Sequence, residues 1–136
     1  MFIYRICTHN NQVETNLSAT TMRLLDQDLE AQFILNLVAC ARQVHPFELL
    51  GKPRGDGNVC LSRQMAMYLT NVVLRRSLTY TGALFNRDRR TVSHACGRIE
   101  DLREQPQFER VLSCFERTVV LAIQDLKLAQ ECCSCA

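Results

Sequence analysis

Tryptophan is absent from this 136-residue sequence, and only five glycines and three prolines punctuate it. Tyr, Val and Thr do not alternate with polar residues, as they would in half-buried strands. No apolar stretch approaches the roughly 20 residues that cross a bilayer, and the first residues, MFIYRICTHNNQ, lack the apolar run of a signal peptide. We therefore expect a cytoplasmic chain without a membrane partner, whose eight cysteines are reduced thiols.

The patterns of enzymes and cofactor-binding proteins are missing as well. The sequence has no GxxxxGK[ST] phosphate loop, no Ser/His/Asp arrangement and no carboxylate pair in a plausible cleft. We predict no catalytic residue, no nucleotide and no other cofactor. Three thiols, Cys132, Cys133 and Cys135, cluster at the end of the chain, but no second Cys or Cys/His pair stands at zinc-finger spacing. We predict no metal site, and the role of these thiols stays open.

Positive charge is present but concentrated. The formal net charge is +2, and 14 of the 16 basic residues are arginine. From Arg63 to Arg103 the sequence has eight arginines against three acidic residues, a segment charge of +5 that leaves −3 for the remainder. The arginine fork suits phosphate oxygens and guanine edges. The alternative interpretation is a solvated basic face without a ligand.

The apolar residues recur at intervals of three and four, which predicts an all-α protein with one core. We predict a poorly ordered arm or short helix in residues 1–25, a domain in residues 26–104, and a C-terminal helix with a Cys-rich tail in residues 105–136. Within the domain, one helix runs from about Asp28 to Val44, a short turn of helix covers residues 46–50, and the glycine-rich segment 51–59 is a loop. Ser62 is the predicted N-cap of a long helix that ends near Arg76.

A short helix capped by Thr79 and ending at Phe85 is followed after two residues by a second helix, a spacing typical of helix-turn-helix. This second helix, residues 88–103, has Asp88 as its N-cap and an apolar face made of Val92, Ala95, Cys96, Ile99 and Leu102. Its other face carries Arg89, Arg90, Ser93 and His94 near the N-terminal end. Forked donors and hydroxyls on one helix face are what reading of the DNA major groove requires.

Two segments, SRQMAMYLT (Ser62 to Thr70) and NRDRRTVSHACGRIEDLRE (Asn86 to Glu104), resemble the C-terminal domain of the bacterial chromosomal replication initiator DnaA. The weaker similarity upstream extends the resemblance to about residues 34–104. It implies a Trp-repressor-like helical bundle that binds double-stranded DNA with its signature helix in the major groove. By position it implies DNA contacts for Arg63, Gln64, Arg87, Asp88, Thr91 and His94.

The sequence also departs from the pattern of that family. Arg89 and Arg90 stand where the family signature has His-Thr, which changes two expected base readers. Lys52 and Arg54 are the basic residues left in a loop where the family usually has several for the minor groove. Because no ATPase motif is present, we expect a stand-alone DNA-binding protein of the nucleoid. It would regulate transcription or, alternatively, compete at initiator-like sites.

The C-terminal helix has apolar residues at a four-three spacing, which is typical of a seam that faces a partner helix. This seam consists of Phe108, Leu112, Phe115, Val119, Ala122, Leu126 and Ala129. Its partner is either the chain's own domain or a second copy in a homodimer. A protein-interaction module that uses this helix is the remaining alternative to DNA binding.

Overall fold

The computed structural model describes residues 17–51 and 56–135, and within these ranges the chain is helical without strands. The helices are α1 (Ala19–Gln27), α2 (Leu29–Arg42), α3 (Pro46–Leu50), α4 (Gly57–Val72), α5 (Leu78–Leu84), α6 (Arg89–Leu102) and α7 (Pro106–Ser134). None of the helices in the described ranges is long and apolar enough to span a membrane. The all-α prediction is confirmed, including the short helix α3.

Helix α4 is the centre of the bundle. It packs against α2, α3, α5 and α6, and every residue from Ser62 to Thr70 is buried. A helix that is covered on all sides also buries its polar side chains, which then need local partners. The Thr70 hydroxyl donates to the Ala66 carbonyl at 2.8 Å, and the Ser62 hydroxyl donates to the Asn58 carbonyl at 2.6 Å.

The start of α4 corrects the prediction of a loop up to Val59 with Ser62 as N-cap. The cap is Asp56, whose carboxylate accepts the Asn58 amide at 3.1 Å. Aspartate is among the preferred N-cap residues. The helix therefore begins five residues before Ser62, at Gly57.

Helix α1 begins inside the segment 1–25, for which the sequence predicted a poorly ordered arm or a short helix, and extends two residues beyond it. Ser18 caps α1 by accepting the Thr21 amide at 3.1 Å, and Leu25 is buried in the core. The Thr21 hydroxyl donates to the Ala83 carbonyl of α5 at 2.6 Å. Helix α1 thus supports α5. The rest of the predicted arm, residues 1–16, lies outside the described residues.

Helix α7 turns the first half of the predicted dimer seam toward its own domain. Leu112, Phe115 and Val119 are buried, and Phe108 is partly buried against the same core. Of the two partners that the sequence left open, these four residues face the chain's own domain and not a second copy, because α7 packs on α2. Along the rest of the seam exposure increases, and Leu126 is 39% exposed.

Asp28 joins the first two helices to the connection between α4 and α5. It caps α2 by accepting the Ala31 amide at 3.0 Å, and its other oxygen lies 3.0 Å from Arg76 Nε and accepts the Tyr80 hydroxyl at 3.2 Å. Glu30 also pairs with Arg76, at 3.0 Å. Burial alone would raise the pKa of Asp28, but the hydrogen bonds from Arg76 and the Ala31 amide outweigh it and hold this pKa below its usual value.

Replacing Arg76 by methionine is expected to lower the free energy of unfolding by about 2 kcal/mol, because the largely buried Asp28 carboxylate loses its cationic partner. The lowered pKa of Asp28 means that this contribution is present at neutral pH and disappears as the pH falls below about 4. Denaturant unfolding at pH 7 and pH 3 measures both effects. Arg75→Met removes the same charge from an exposed neighbour and is the control. If both variants lost the same free energy of unfolding, the ion pair between Arg76 and Asp28 would not be the cause.

Candidate nucleic-acid interface

Helices α5 and α6 form the helix-turn-helix, with residues 85–88 between them. Ser77 caps α5, and its hydroxyl accepts the Tyr80 amide at 3.1 Å. The predicted cap, Thr79, is wrong because α5 begins one residue after Ser77, at Leu78. At its other end α5 stops at Leu84, and the turn follows directly.

The turn holds the backbone of residue 87 against Gly82. The Arg87 amide donates to the Gly82 carbonyl at 2.8 Å, and a Cβ at position 82 would lie 2.5 Å from the Arg87 carbonyl oxygen. Only glycine leaves space for this approach. Asn86 adopts a left-handed φ of 55°, a conformation that asparagine tolerates better than most residues do. These two residues determine how α6 leaves the turn.

Asp88 caps α6, as the sequence predicted. Its Oδ1 accepts the Thr91 amide at 2.8 Å, and this hydrogen bond to the backbone holds the pKa of the exposed carboxyl below its usual value. A carboxylate at this end also complements the positive end of the helix dipole. A position of Asp88 and Thr91 near bases or phosphates stays a prediction.

Helix α6 has one buried and one exposed face. Val92, Ala95 and Ile99 are buried against α4 and α5. The exposed residues of α6 are Arg89, Arg90, Thr91, Ser93, His94, Gly97 and Arg98 and, at its C-terminal end, Glu100 and Asp101. The predicted division of the helix into two faces is confirmed. Contact of this face with DNA is treated as a proposal below.

Arg98 was not predicted as a site residue, although it belongs to the same exposed face. It follows His94 by four residues, as His94 follows Arg90, so the three side chains lie in a row along α6. The signal was present in this spacing, but the sequence prediction used Arg98 only as part of the segment charge.

Half of the eight arginines between residues 63 and 103 serve the fold. Four donate to carbonyls or carboxylates within the domain, namely Arg63, Arg76, Arg87 and Arg103. The other four, Arg75, Arg89, Arg90 and Arg98, are exposed. The segment charge of +5 therefore overstates the positive surface, but three of the four exposed arginines lie on α6.

Arg63 serves the fold in this structure, and its contact with DNA stays a prediction. It is 6% exposed, and its guanidinium donates to the Leu49 carbonyl at 2.7 Å and to the Glu48 carbonyl at 2.7 Å. These carbonyls belong to the last turn of α3, where no helical amide is available to them. Gln64 is 9% exposed and also lies inside the bundle. Neither side chain lies on the surface of the domain.

Lys52 and Arg54 lie outside the described residues, and their role as a basic arm stays a prediction. The described start of their loop is Gly51, whose carbonyl accepts a hydrogen bond from the Arg87 guanidinium. Gly51, the last described residue before the loop, therefore lies near Arg87, which directly precedes the cap of α6. Arg87 also donates to the Asn86 carbonyl at 2.9 Å, and burial lowers its pKa. The guanidinium is thus engaged in the fold, and its predicted contact with DNA stays a prediction.

The C-terminal end of α6 is fixed by ion pairs. Arg103 lies 2.6 Å from Glu109 and 2.8 Å from Glu116 of α7, and it donates to the Tyr68 hydroxyl of α4 at 2.7 Å. The Tyr68 hydroxyl in turn donates to Glu100 at 2.8 Å. Burial and this bond to Glu100 raise the pKa of Tyr68 to about 12. The network holds α4, α6 and α7 together at the end of α6 that lies away from Arg89 and Arg90.

The described cysteines form no disulfide, and Cys132, Cys133 and Cys135 are exposed near the end of α7. Within residues 17–51 and 56–135, no group of three or more His, Cys, Asp or Glu side chains is arranged to hold a metal ion. The exposed face of α6 presents several side chains that can bind a ligand on one surface.

A family model of the bacterial DnaA protein helix-turn-helix matches residues 31–99, which is half of the chain and covers α2 through most of α6. This range includes the turn at Gly82, the cap at Asp88 and the exposed residues from Arg89 to His94.

Several replication initiators are similar to this chain. DnaA 1 of Protochlamydia amoebophila is 33% identical over 107 residues, which cover 72% of this chain and 24% of that protein. DnaA 2 of Chlamydia trachomatis is 39% identical over 79 residues (58% and 17%), and DnaA of Bordetella pertussis is 40% identical over 68 residues (48% and 14%). The chain spans a quarter or less of the length of these relatives.

Proposed function

Because the chain belongs to the bacterial DnaA helix-turn-helix family, we propose that it binds double-stranded DNA sequence-specifically with α6 in the major groove. The observation that carries this proposal is the exposed N-terminal half of α6. It presents Arg89, Arg90, Ser93 and His94 to solvent while Val92 and its apolar neighbours are packed in the core. A recognition helix reads base edges with its N-terminal residues in the same way.

The chemistry of each exposed side chain suggests a role. Arg89 and Arg90 carry planar forks that can donate two hydrogen bonds to guanine O6 and N7. Ser93 can bond to a base edge or to a phosphate, and His94 lies one turn further along the same face. Arg98, one more turn along, suits a phosphate of the groove wall. We expect a guanine preference at the bases that face the two arginines.

The loop before α4 supplies a second contact in this proposal. It starts at Gly51, beside the beginning of α6, and its Lys52 and Arg54 can reach the minor groove next to the major groove that α6 occupies. Contacts with the DNA backbone from this loop would fix the register of α6 without reading sequence.

The biological role that we propose is transcriptional regulation at the nucleoid, in the cytoplasm of a bacterium. The alternative is competition with a replication initiator for its sites, and the similarity to proteins named as chromosomal replication initiators favours it. The arginines at positions 89 and 90 distinguish the two roles. If these arginines change the preferred DNA sequence, this chain should bind initiator sites poorly, as expected for a separate regulator. If they do not, this chain and the initiator should bind the same duplex, as expected for a competitor.

The proposal is tested by selecting duplexes from a random pool and measuring their affinity by fluorescence anisotropy. We expect Arg90→Ala and His94→Ala each to weaken the selected duplex about tenfold while unfolding at the wild-type denaturant concentration, because both side chains are exposed. Arg110→Ala removes an exposed arginine from α7 and is the matched control. The slope of log affinity against log salt should be steep for the wild type.

The outcomes separate the candidate functions. Unchanged affinity and sequence preference in both α6 variants would show that α6 is not the recognition helix. Failure to bind any duplex at low salt would leave the protein-interaction module as the better explanation.

A further inference from the structure

Helix α7 carries a second stripe on the side that faces away from the domain. Cys114, Leu121, Leu128 and Cys135 stand seven residues apart and are exposed, with Leu121 at 54% and Leu128 at 59%. Leu121 follows the buried Leu112 by nine residues, as Leu128 follows the buried Val119. Nine residues are about two and a half helical turns. The stripe therefore lies opposite the packed face of α7.

We propose that this stripe binds a second copy of the chain, with the two α7 helices antiparallel. The order of the stripe, Cys-Leu-Leu-Cys with equal spacing, is the same in both directions. A two-fold axis between residues 124 and 125 therefore places Leu121 against Leu128 of the second copy, and Cys114 against its Cys135. Such an isologous contact closes on itself as a dimer. Since each domain packs on the opposite side of its own α7, the two domains stay apart.

Charge complementarity selects the antiparallel direction and the second copy as the occupant. Arg117 and Glu131 are exposed and flank the stripe on the same side, three residues after Cys114 and Leu128. In antiparallel helices the same flanks meet, so Arg117 of each copy faces Glu131 of the other. In a parallel pair opposite flanks meet, so Arg117 and Glu131 would lie beside the flank that carries Thr118 and Cys132 and would gain no ion pair.

Asp125 sets a limit on the affinity. It is exposed on the other flank of the stripe. Because the two-fold axis passes beside it, Asp125 of one chain lies against Asp125 of the second chain. Two pairs of leucines and two exposed ion pairs form a small contact surface, and this repulsion weakens it, so we expect the dimer only at high protein concentration. Asp125→Asn should therefore strengthen the dimer.

Sedimentation equilibrium of the full chain without DNA tests the proposal through charge reversal. We expect Arg117→Glu and Glu131→Arg each to weaken the dimer about tenfold, since each creates two contacts between like charges. The double variant should restore the wild-type constant, because it exchanges the two charges across the interface. Arg110→Glu, which changes an exposed arginine outside the pair, should alter it much less. A wild-type chain that stays monomeric at millimolar concentration, or a double variant that is not restored, overturns the proposal.

Cross-linking with a short bis-maleimide, followed by digestion and mass spectrometry, tests the direction. Cys114 lies in α7 and Cys135 directly follows its last residue, so the two are 21 residues apart in one chain, roughly 31 Å along the helix, which a short reagent cannot bridge. A Cys114 to Cys135 link is therefore intermolecular and is the expected product. Links of Cys114 to Cys114 and Cys135 to Cys135 instead would show a parallel pair and overturn the antiparallel assignment.

Discussion

Replacing Gly82 by alanine is expected to lower the free energy of unfolding by about 3 kcal/mol, although alanine is the better helix former. The new Cβ would lie 2.5 Å from the carbonyl oxygen of Arg87. That oxygen belongs to the backbone of the turn and cannot rotate away as a side chain would. The turn must open to relieve the contact, and the Arg87 amide then loses its 2.8 Å hydrogen bond to Gly82.

Gly97 provides the matched control, because it lies within α6 and a Cβ there meets no atom within 4 Å. Gly97→Ala is expected to raise the free energy of unfolding by about 0.5 to 1 kcal/mol. Urea unfolding followed by circular dichroism measures both variants. Since the turn sets the direction of α6, the folded fraction of Gly82→Ala should also bind the selected duplex more weakly. A Gly82→Ala protein as stable as the wild type would show that the turn adapts without cost.

The parts of the interface that the sequence predicted depend on neighbours close along the chain. Asp88 and Thr91 form an N-cap within four residues, and the two faces of α6 follow from the helical repeat. Both signals are local and need no knowledge of the rest of the fold. The resemblance to the replication initiators added the order of the helices around this motif.

The parts that the sequence did not predict depend on distant partners. Arg76 pairs with Asp28 from 48 residues away, and Arg103 meets Tyr68 from 35 residues away. Charge counting treats such arginines as equal to Arg90, although they are already bound within the domain. The partner of the C-terminal seam stayed open at the sequence level for the same reason, since periodicity shows that a helix has an apolar face but does not identify what covers it.

A substitution of Arg63 tests the difference between arginines that are bound within the domain and arginines that are exposed. Replacing Arg63 by alanine is expected to lower the free energy of unfolding by about 3 kcal/mol, because the substitution leaves a cavity and two carbonyls of α3 without donors. Arg63→Lys should recover only part of this loss, since an ammonium cannot reproduce the two 2.7 Å bonds that Nε and Nη2 make to different carbonyls.

Binding and stability should therefore change in opposite patterns for Arg63 and Arg90. Urea unfolding is expected to show the loss for Arg63→Ala and wild-type behaviour for the exposed Arg90→Ala. Duplex affinity, measured by anisotropy and corrected for the folded fraction, is expected to fall only for Arg90→Ala. If Arg63→Ala instead weakened binding about tenfold and reduced the salt slope by about one at unchanged stability, Arg63 would be a phosphate contact. In the complex its guanidinium would then exchange the hydrogen bonds to the Leu49 and Glu48 carbonyls for hydrogen bonds to a DNA phosphate. The two variants thus distinguish an arginine that builds the scaffold from one that the scaffold presents.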